Sequence, residues 1–225
     1  MEKDIKLLLE NDKLDSLYKN NLFSLKSICK ILGVWDNYSK EDQYKLENFT
    51  LKDTLINKNF KFNGNYNANY IYDEILRSGV DEIIKRINKY KKPNEKDIFL
   101  DIGSGSGKVV LHIAIKTIIQ TLIGVEIIPQ RHRYSKYIQN KISVDKNIFF
   151  IEKDILDFDF SMATIIYMNN ITFDDNLIKN IYEKIPKGCH FMSFKEIPEC
   201  KILKEKFLIE VSYDKNKQNL FYYIK

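Results

Sequence analysis

The spacing of apolar residues changes character once along this chain. Up to about residue 60 it is helical. Leu7, Leu8 and Leu9, then Leu14, Leu17 and Tyr18, then Leu22, Leu25, Ile28, Ile31 and Leu32 recur at intervals of three and four, and Gly33 supplies a stop. Tyr44, Leu46, Phe49, Leu51, Leu55 and Ile56 make a second amphipathic piece. This predicts a small helical region over residues 1–65 that packs on, or lids, the main domain, with Trp35 and its aromatic neighbours as core. Phe60–Tyr70 is rich in Asn and reads as a loop. Tyr72-Asp73-Glu74-Ile75 opens a helix through Ile83, Ile84 and Ile87, with Pro93 beyond its end.

From Ile98 onward, short apolar runs alternate with helical stretches. Four runs each end in a polar residue. Ile98–Leu100 ends in Asp101, Thr121–Glu126 in its own acid, Asn147–Ile151 leads to Asp154, and Ala163–Met168 empties into Asn169-Asn170-Ile171-Thr172-Phe173. Val109–Ile115 is dense enough for a buried helix. Asp174–Ile185 is another, with a capping start at Thr172–Asp175 and a stop at Pro186-Lys187-Gly188. Cys189–Phe194 is a fifth strand, and Phe207–Tyr213 with Leu220–Ile224 closes as a hairpin. The predicted fold is α/β over residues 66–225: a Rossmann-like sheet of seven strands, mostly parallel, with an antiparallel strand in the last hairpin.

Composition narrows the picture only slightly. A hydrophobic content of 44% with 30% charged residues suits an ordinary globular chain of 225 residues, one domain plus an appendage. The net charge of +5 is mild, and the abundance of Lys, Asn, Ile and Tyr reads as coding bias from an AT-rich genome. Cys29, Cys189 and Cys200 lack paired metal-type spacing and read as idle thiols of a reducing compartment. His112, His132 and His190 share no ligand spacing, so no metal is expected, and His112 reads as a packed helix residue. No apolar stretch approaches a membrane span, and Met1-Glu2-Lys3-Asp4 does not begin a signal peptide, so a soluble intracellular protein is expected. Arg131, His132, Arg133 and Lys136 form a basic helix start, read first as a solvated face and second as a contact for acid or nucleic acid.

The chemistry is concentrated in Asp101-Ile-Gly-Ser-Gly-Ser-Gly-Lys108. Its glycines stand at alternate positions, Gly103, Gly105 and Gly107. A dinucleotide fingerprint would need its third glycine at Lys108, and a Walker loop would need one at Ile102 and a hydroxyl at Val109. What remains is D-x-G-x-G-x-G, the pattern of S-adenosylmethionine-dependent methyltransferases after their first strand. In that reading the glycines let the backbone lie against the ligand, and Asp101 accepts from its ammonium. Glu126 holds the ribose hydroxyls, and Asp154 stands at the adenine edge. A glycine-rich turn without a ligand is the plain alternative.

Several segments together resemble the non-SET histone-lysine methyltransferases of the disruptor-of-telomeric-silencing (Dot-type) family. They are Tyr72–Ile75, IFLDIGSGSGKVVLHIA, IGVE, IIYMNNITF, KGCHFMSFK and the closing EVSY…LFYYIK. The resemblance implies a class I methyltransferase fold and S-adenosylmethionine as cofactor. It implies cofactor contacts at Tyr72, Glu74, Asp101, Gly103, Gly105, Lys108, Glu126, Asp154 and Asn169. Asn169 would sit where the methyl group moves, with Phe173 and Tyr222 shaping a channel for the target lysine. The chain departs from the family pattern at Lys108 (family Gln), Asp73 (Gly), Ile171 (aromatic) and Tyr213 (Trp). Because Tyr222 and Tyr223 alternate on a strand, one of them is expected in the core.

The implied activity is methylation of lysine in a histone or other basic protein, in the nucleus for a histone and in the cytoplasm otherwise. The sequence ends at Lys225 directly after the last strand, so a basic tail that would grip nucleosomal DNA is not expected. Two alternatives stay open: a class I methyltransferase acting on nucleic acid or a small molecule, and an inactive binding module of the same fold. The loop Asn169–Phe173 lacks the N/D-P-P-Y/F form common in DNA amine methylation, which disfavours the nucleic-acid reading.

Overall fold

The computed structural model describes residues 75–142, 144–211 and 217–225, together with Lys13. The helical region expected over 1–65, the loop of 60–70, Tyr72, Glu74 and Tyr213 lie outside the described residues. In chain order the elements are α1 (Arg77–Tyr90), β1 (Ile98–Ile102), α2 (Lys108–Lys116), β2 (Thr121–Glu126), α3 (Pro129–Lys141), β3 (Asn147–Glu152), a 3-10 turn (Ile155–Asp157), β4 (Ile165–Met168), α4 (Asp175–Lys184), β5 (His190–Ser193), β6 (Leu203–Ile209) and β7 (Gln218–Ile224).

Among the described residues the strands form one sheet in the order β3-β2-β1-β4-β5-β7-β6. The first five pair in parallel, and β7 runs antiparallel between β5 and β6. This is the class I methyltransferase arrangement that the strand spacing predicts. Alternation along β1 sends Phe99 to one face, packed under α1, α2 and α3, and Leu100 and Ile102 to the other, packed under α4. On the first face Ile83 and Ile87 of α1 and Val110 and Ile113 of α2 are fully buried, each contributing roughly 1.5–3 kcal/mol by the apolar area it removes from water. The chain leaves β1 toward β2 on one side and returns to β4 on the other, so the crevice between β1 and β4 opens at their carboxyl ends. That is where an open α/β sheet takes its ligand.

Three boundaries differ from the sequence expectations. The first helix starts at Arg77 rather than near Tyr72, because Ile75 bridges Val211 and the Leu76 N–H donates to the Glu210 carbonyl at 3.1 Å. The backbone there belongs to the sheet edge. β6 starts at Leu203, upstream of Phe207, and ends at Ile209. Its added residues, Leu203-Lys-Glu-Lys206, are largely solvent-facing on an edge strand and carry no apolar density. The cap of α4 is Asp174, whose carboxylate accepts from the Leu177 N–H at 2.7 Å, and not Thr172.

His112 is fully buried on α2, its Nε2 3.2 Å from the Asp81 carboxylate. Cys189 and Cys200 are buried thiols outside any disulfide, and burial pushes the Cys189 thiol up to about 12. Among the described residues no helix is long and apolar enough to cross a membrane.

Candidate functional site

The glycine loop bends between β1 and α2 with three left-handed backbone positions: Gly103 at φ 74°, Gly105 at 54° and Gly107 at 79°. Two of them are glycine for different reasons. A Cβ on Gly107 would meet the Phe150 ring at 2.4 Å and the Ser135 Cβ at 2.9 Å, so this glycine serves close packing of loop on helix and strand. Among the described residues, a Cβ on Gly103 would approach only the Phe173 ring, at 3.5 Å, so this glycine lines the crevice.

The loop is tied to β2. The N–H groups of Gly103 and Ser104 both donate to the Val125 carbonyl, at 2.9 and 3.0 Å, and the Gly107 N–H donates to the Ser104 carbonyl at 2.8 Å. The carboxylate of Glu126 completes the anchor. One oxygen accepts from the Gly105 N–H and the other from the Ile128 N–H, each at 2.8 Å. Glu126 is therefore buried and already braces the loop. Each oxygen keeps a further lone pair, since a carboxylate offers about four acceptor sites.

Asp101 lies one residue before the end of β1, buried between Gly124 of β2 and Tyr167 of β4 in the sheet register. Burial, with the Glu126 charge adding to it, raises its pKa well above the usual carboxylate range. A carboxyl group in this state favours a cation as partner. Lys108 is buried at the first position of α2. The Ser104 hydroxyl is buried without a hydrogen-bond partner among the described residues. Asp154 is half-buried, and its carboxylate caps the 3-10 turn through the Leu156 N–H at 2.9 Å.

After β4 the two asparagines separate. Asn169 is half-buried, whereas Asn170 is fully buried and its side-chain oxygen accepts from the Phe194 N–H at 2.9 Å. Four residues on from Asn169, the Phe173 ring comes over Gly103. Asp101, Gly103, Gly105, Glu126 and Phe173 thus meet around the carboxyl ends of β1, β2 and β4, and Asn169 comes directly after β4 at the same edge.

Tyr222 is elsewhere. It is fully buried on β7, its ring centroid 5.1 Å from that of Tyr90 and its hydroxyl 3.0 Å from His190 Nδ1. His190 is the first residue of β5, so the hydroxyl points to the end of the sheet away from the glycine loop. The structure thus does not bring Tyr222, expected in a lysine channel, to the glycine loop: it is a core residue, and its hydroxyl is pushed upward in pKa by burial. Tyr223 is core as well, on the opposite face, stacked on Phe191 at 4.9 Å.

Sequence reasoning missed Asn170 as a structural partner of the β5 end. It also missed that Glu126 spends a lone pair of one oxygen on the loop and one of the other on the Ile128 N–H before α3. Neither carries a sequence signal, because both depend on which backbone N–H groups the fold brings within reach.

Comparison with known proteins places this geometry in a family. The model of the family described as "Histone methylation protein DOT1" matches residues 54–221. The chain is 28% identical over 178 residues to the carboxy-S-adenosyl-L-methionine synthase of Nautilia profundicola, covering 70% of this chain and 74% of that one. It is 24% identical over 147 residues to the H3 lysine-79-specific histone-lysine N-methyltransferase of Candida glabrata, covering 58% of this chain and 22% of that one. Among solved structures, an RNA methyltransferase from Salinibacter ruber in complex with S-adenosyl-L-homocysteine superposes with a TM-score of 0.50 at 18% identity, over 64% of this chain and 90% of that one. That likeness speaks for the fold. With well over half of its length matched by the family model, and with this sheet order and glycine loop, the protein belongs to the histone methylation protein DOT1 family of S-adenosylmethionine-dependent methyltransferases.

Proposed function

We propose that this protein methylates the side-chain amine of lysine in a basic protein, with histones as the first substrates to try. The observation that carries the reading is the meeting of Phe173, from the loop after β4, with Gly103 of the glycine loop. An acceptor entering past Asn169 and Phe173 would arrive where the cofactor's methyl group lies.

The residues present suit S-adenosylmethionine. Gly103 leaves the space of a missing side chain beside an aromatic ring, and a buried carboxyl at Asp101 fits an ammonium. Glu126 retains acceptor capacity for the two hydroxyls of a ribose. Asp154 would take the adenine side, Lys108 would sit beside the loop at the start of α2, and Tyr72 and Glu74 would close over the cofactor from the segment before α1. The helical region of residues 1–65 would precede this domain.

When bound, the cofactor supplies a methyl group already activated on a sulfonium. The protein is left with positioning. Gly103 and Gly105 bring the backbone close, and Asp101 and Glu126 hold opposite ends of the ligand. Phe173 excludes water from the approach of the amine. A lysine enters protonated, with a reference pKa of about 10.4, and a dry aromatic surface disfavours its charged form. Asn169 orients groups through its amide and carbonyl, and as an amide it serves no role as a base. Alignment of this kind accounts for most of the catalysis such a transfer needs.

The test is incubation with methyl-labelled S-adenosylmethionine and, separately, nucleosomes, free histones, ribosomal proteins, DNA and RNA, with Asn169→Ala as control. Label on protein lysine, lost in the control, supports the reading, and label confined to nucleic acid overturns it. A second reading comes from the match over most of the Nautilia profundicola protein, whose name makes the sulfonium nucleoside itself the substrate. Mass spectrometry separates the two. Methyl transfer releases S-adenosylhomocysteine, whereas the second reading, with a carboxylic-acid donor supplied to give up its carboxyl group, leaves a carboxylated and heavier sulfonium nucleoside.

A further inference from the structure

The second asparagine of the β4 loop is buried more deeply than the first and is bonded at one end only. Two backbone donors converge on Asn170 Oδ1, the Phe194 N–H at 2.9 Å and the Lys195 N–H at 3.2 Å; Ser193 Oγ lies 3.1 Å away, but its one hydrogen goes to the Lys195 carbonyl at 2.5 Å. Two backbone N–H groups on one atom fix which end of the amide is oxygen, because the flipped group would set its own N–H bonds against both. The sheet register explains the need. β4 and β5 stay paired as far as Met168 and Ser193, then both chains leave the sheet, and the carboxamide spans the gap.

A second tie closes the loop. The Phe173 N–H donates to the Asn170 carbonyl at 3.1 Å, and the Lys195 ammonium donates to the Phe173 carbonyl at 2.5 Å. Residues 170 and 173 are thus both held from just beyond β5. Meanwhile Asn170 Nδ2 is buried with no acceptor among the described residues. A buried donor without a partner destabilises a fold, and such groups persist where function retains them.

We propose that Asn170 is a positioning residue of the site. Its side-chain oxygen, and not its amide nitrogen, sets Asn169 and the Phe173 ring relative to the glycine loop. Lys195 supports it through the Phe173 carbonyl. The proposal rests on the methyl-transfer reading, because the residues it positions are those assigned there to the acceptor.

The test uses three full-length variants. Asn170→Ala removes the oxygen, Asn170→Asp keeps it, and Lys195→Met removes the outer tie at a partly exposed side chain that folding tolerates. Three quantities are measured: affinity for S-adenosylhomocysteine by calorimetry, methyl transfer to free histones, and hydrogen exchange at the amides of Phe173, Phe194 and Lys195. Asn170→Ala is expected to speed exchange and slow transfer by about 100-fold, the scale of a misplacement near 1 Å, with cofactor affinity little changed. Asn170→Asp restores slow exchange and most of the rate. Lys195→Met slows transfer less, again without loss of cofactor affinity. The proposal is overturned if Asn170→Ala leaves the rate intact, if its rate and cofactor affinity fall together, or if Asn170→Asp is as slow as Asn170→Ala while its amides stay protected. Should the wild type label no histone, the lysine reading fails separately. Exchange then decides the clip: fast only in Asn170→Ala upholds it, and equal in wild type and both Asn170 variants sinks it.

Discussion

The backbone N–H of Gly105 donates to the Glu126 carboxylate at 2.8 Å, so the acid expected to hold a ligand's sugar also holds the loop that receives the ligand. Its second oxygen takes the Ile128 N–H, which ties the end of β2 to the start of α3. On the proposed reading, one side chain couples loop shape to ligand recognition.

Removing that coupling should damage both. Glu126→Gln keeps one acceptor but turns an N–H2 toward a backbone donor, and Glu126→Ala leaves two buried donors bare. An unmet buried donor costs about 1–3 kcal/mol, and each kcal/mol lowers Tm by roughly 2–4 °C in a chain of this size. Calorimetry with S-adenosylhomocysteine should show binding weakened by about tenfold or more, with Ala worse than Gln.

Asp101 predicts a pH dependence of unusual sign for a carboxyl group. Its folded-state pKa is raised by burial and by Glu126, so the folded protein holds a proton that the unfolded chain releases. Its contribution to stability is complete below the unfolded pKa of about 3.9 and is lost as pH rises through the folded value. Asp101→Asn should therefore raise Tm at neutral pH and flatten this part of the Tm–pH curve. It should also weaken cofactor binding, since a hydrogen bond to a charged group is worth about 1.5–3 kcal/mol. Thermal melts and calorimetry across pH check both halves.

Gly107→Ala sets a Cβ 2.4 Å from the Phe150 ring at a φ of 79°. Overpacking of this kind typically costs about 1–3 kcal/mol, with backbone strain added. Phe150→Leu should recover part of the loss in a double-mutant cycle, read by chemical denaturation, because the clash is with that ring.

Phe173→Ala separates binding from transfer. The ring faces Gly103 beside the acceptor's path, so the variant should keep most of its affinity for S-adenosylhomocysteine while methyl transfer falls by about 100-fold. Equal losses in both would assign the ring to cofactor binding instead.

The parallel half of the sheet is the part most legible in the sequence, and the closing antiparallel hairpin is legible in outline. Buried parallel strands are continuous apolar runs, and their ligand-facing residues gather at one edge, so Asp101, Glu126 and Phe173 could be placed together from strand ends alone. The edge strand was less visible, because Leu203–Lys206 pairs through its backbone while most of its side chains face water. Thr172 and Asp174 are both competent caps, and only chain direction selects Asp174. The alternation of Tyr222 and Tyr223 was legible, but β7 is covered on both faces, so both rings are core and neither side was free to line a channel. Asn169 and Asn170 are identical in sequence. Which of them turns inward depends on how the chain leaves β4, and that is set by the donors at the end of β5.

On the proposed reading, the loop around Gly105 and the carboxylate of Glu126 together hold a sulfonium nucleoside. A crystal structure of the protein with S-adenosylhomocysteine addresses it directly. The nucleoside is expected in the crevice between β1 and β4, its ribose hydroxyls on Glu126 and its ammonium toward Asp101. A crevice empty at saturating ligand, or Glu126 turned away from the sugar, would contradict it.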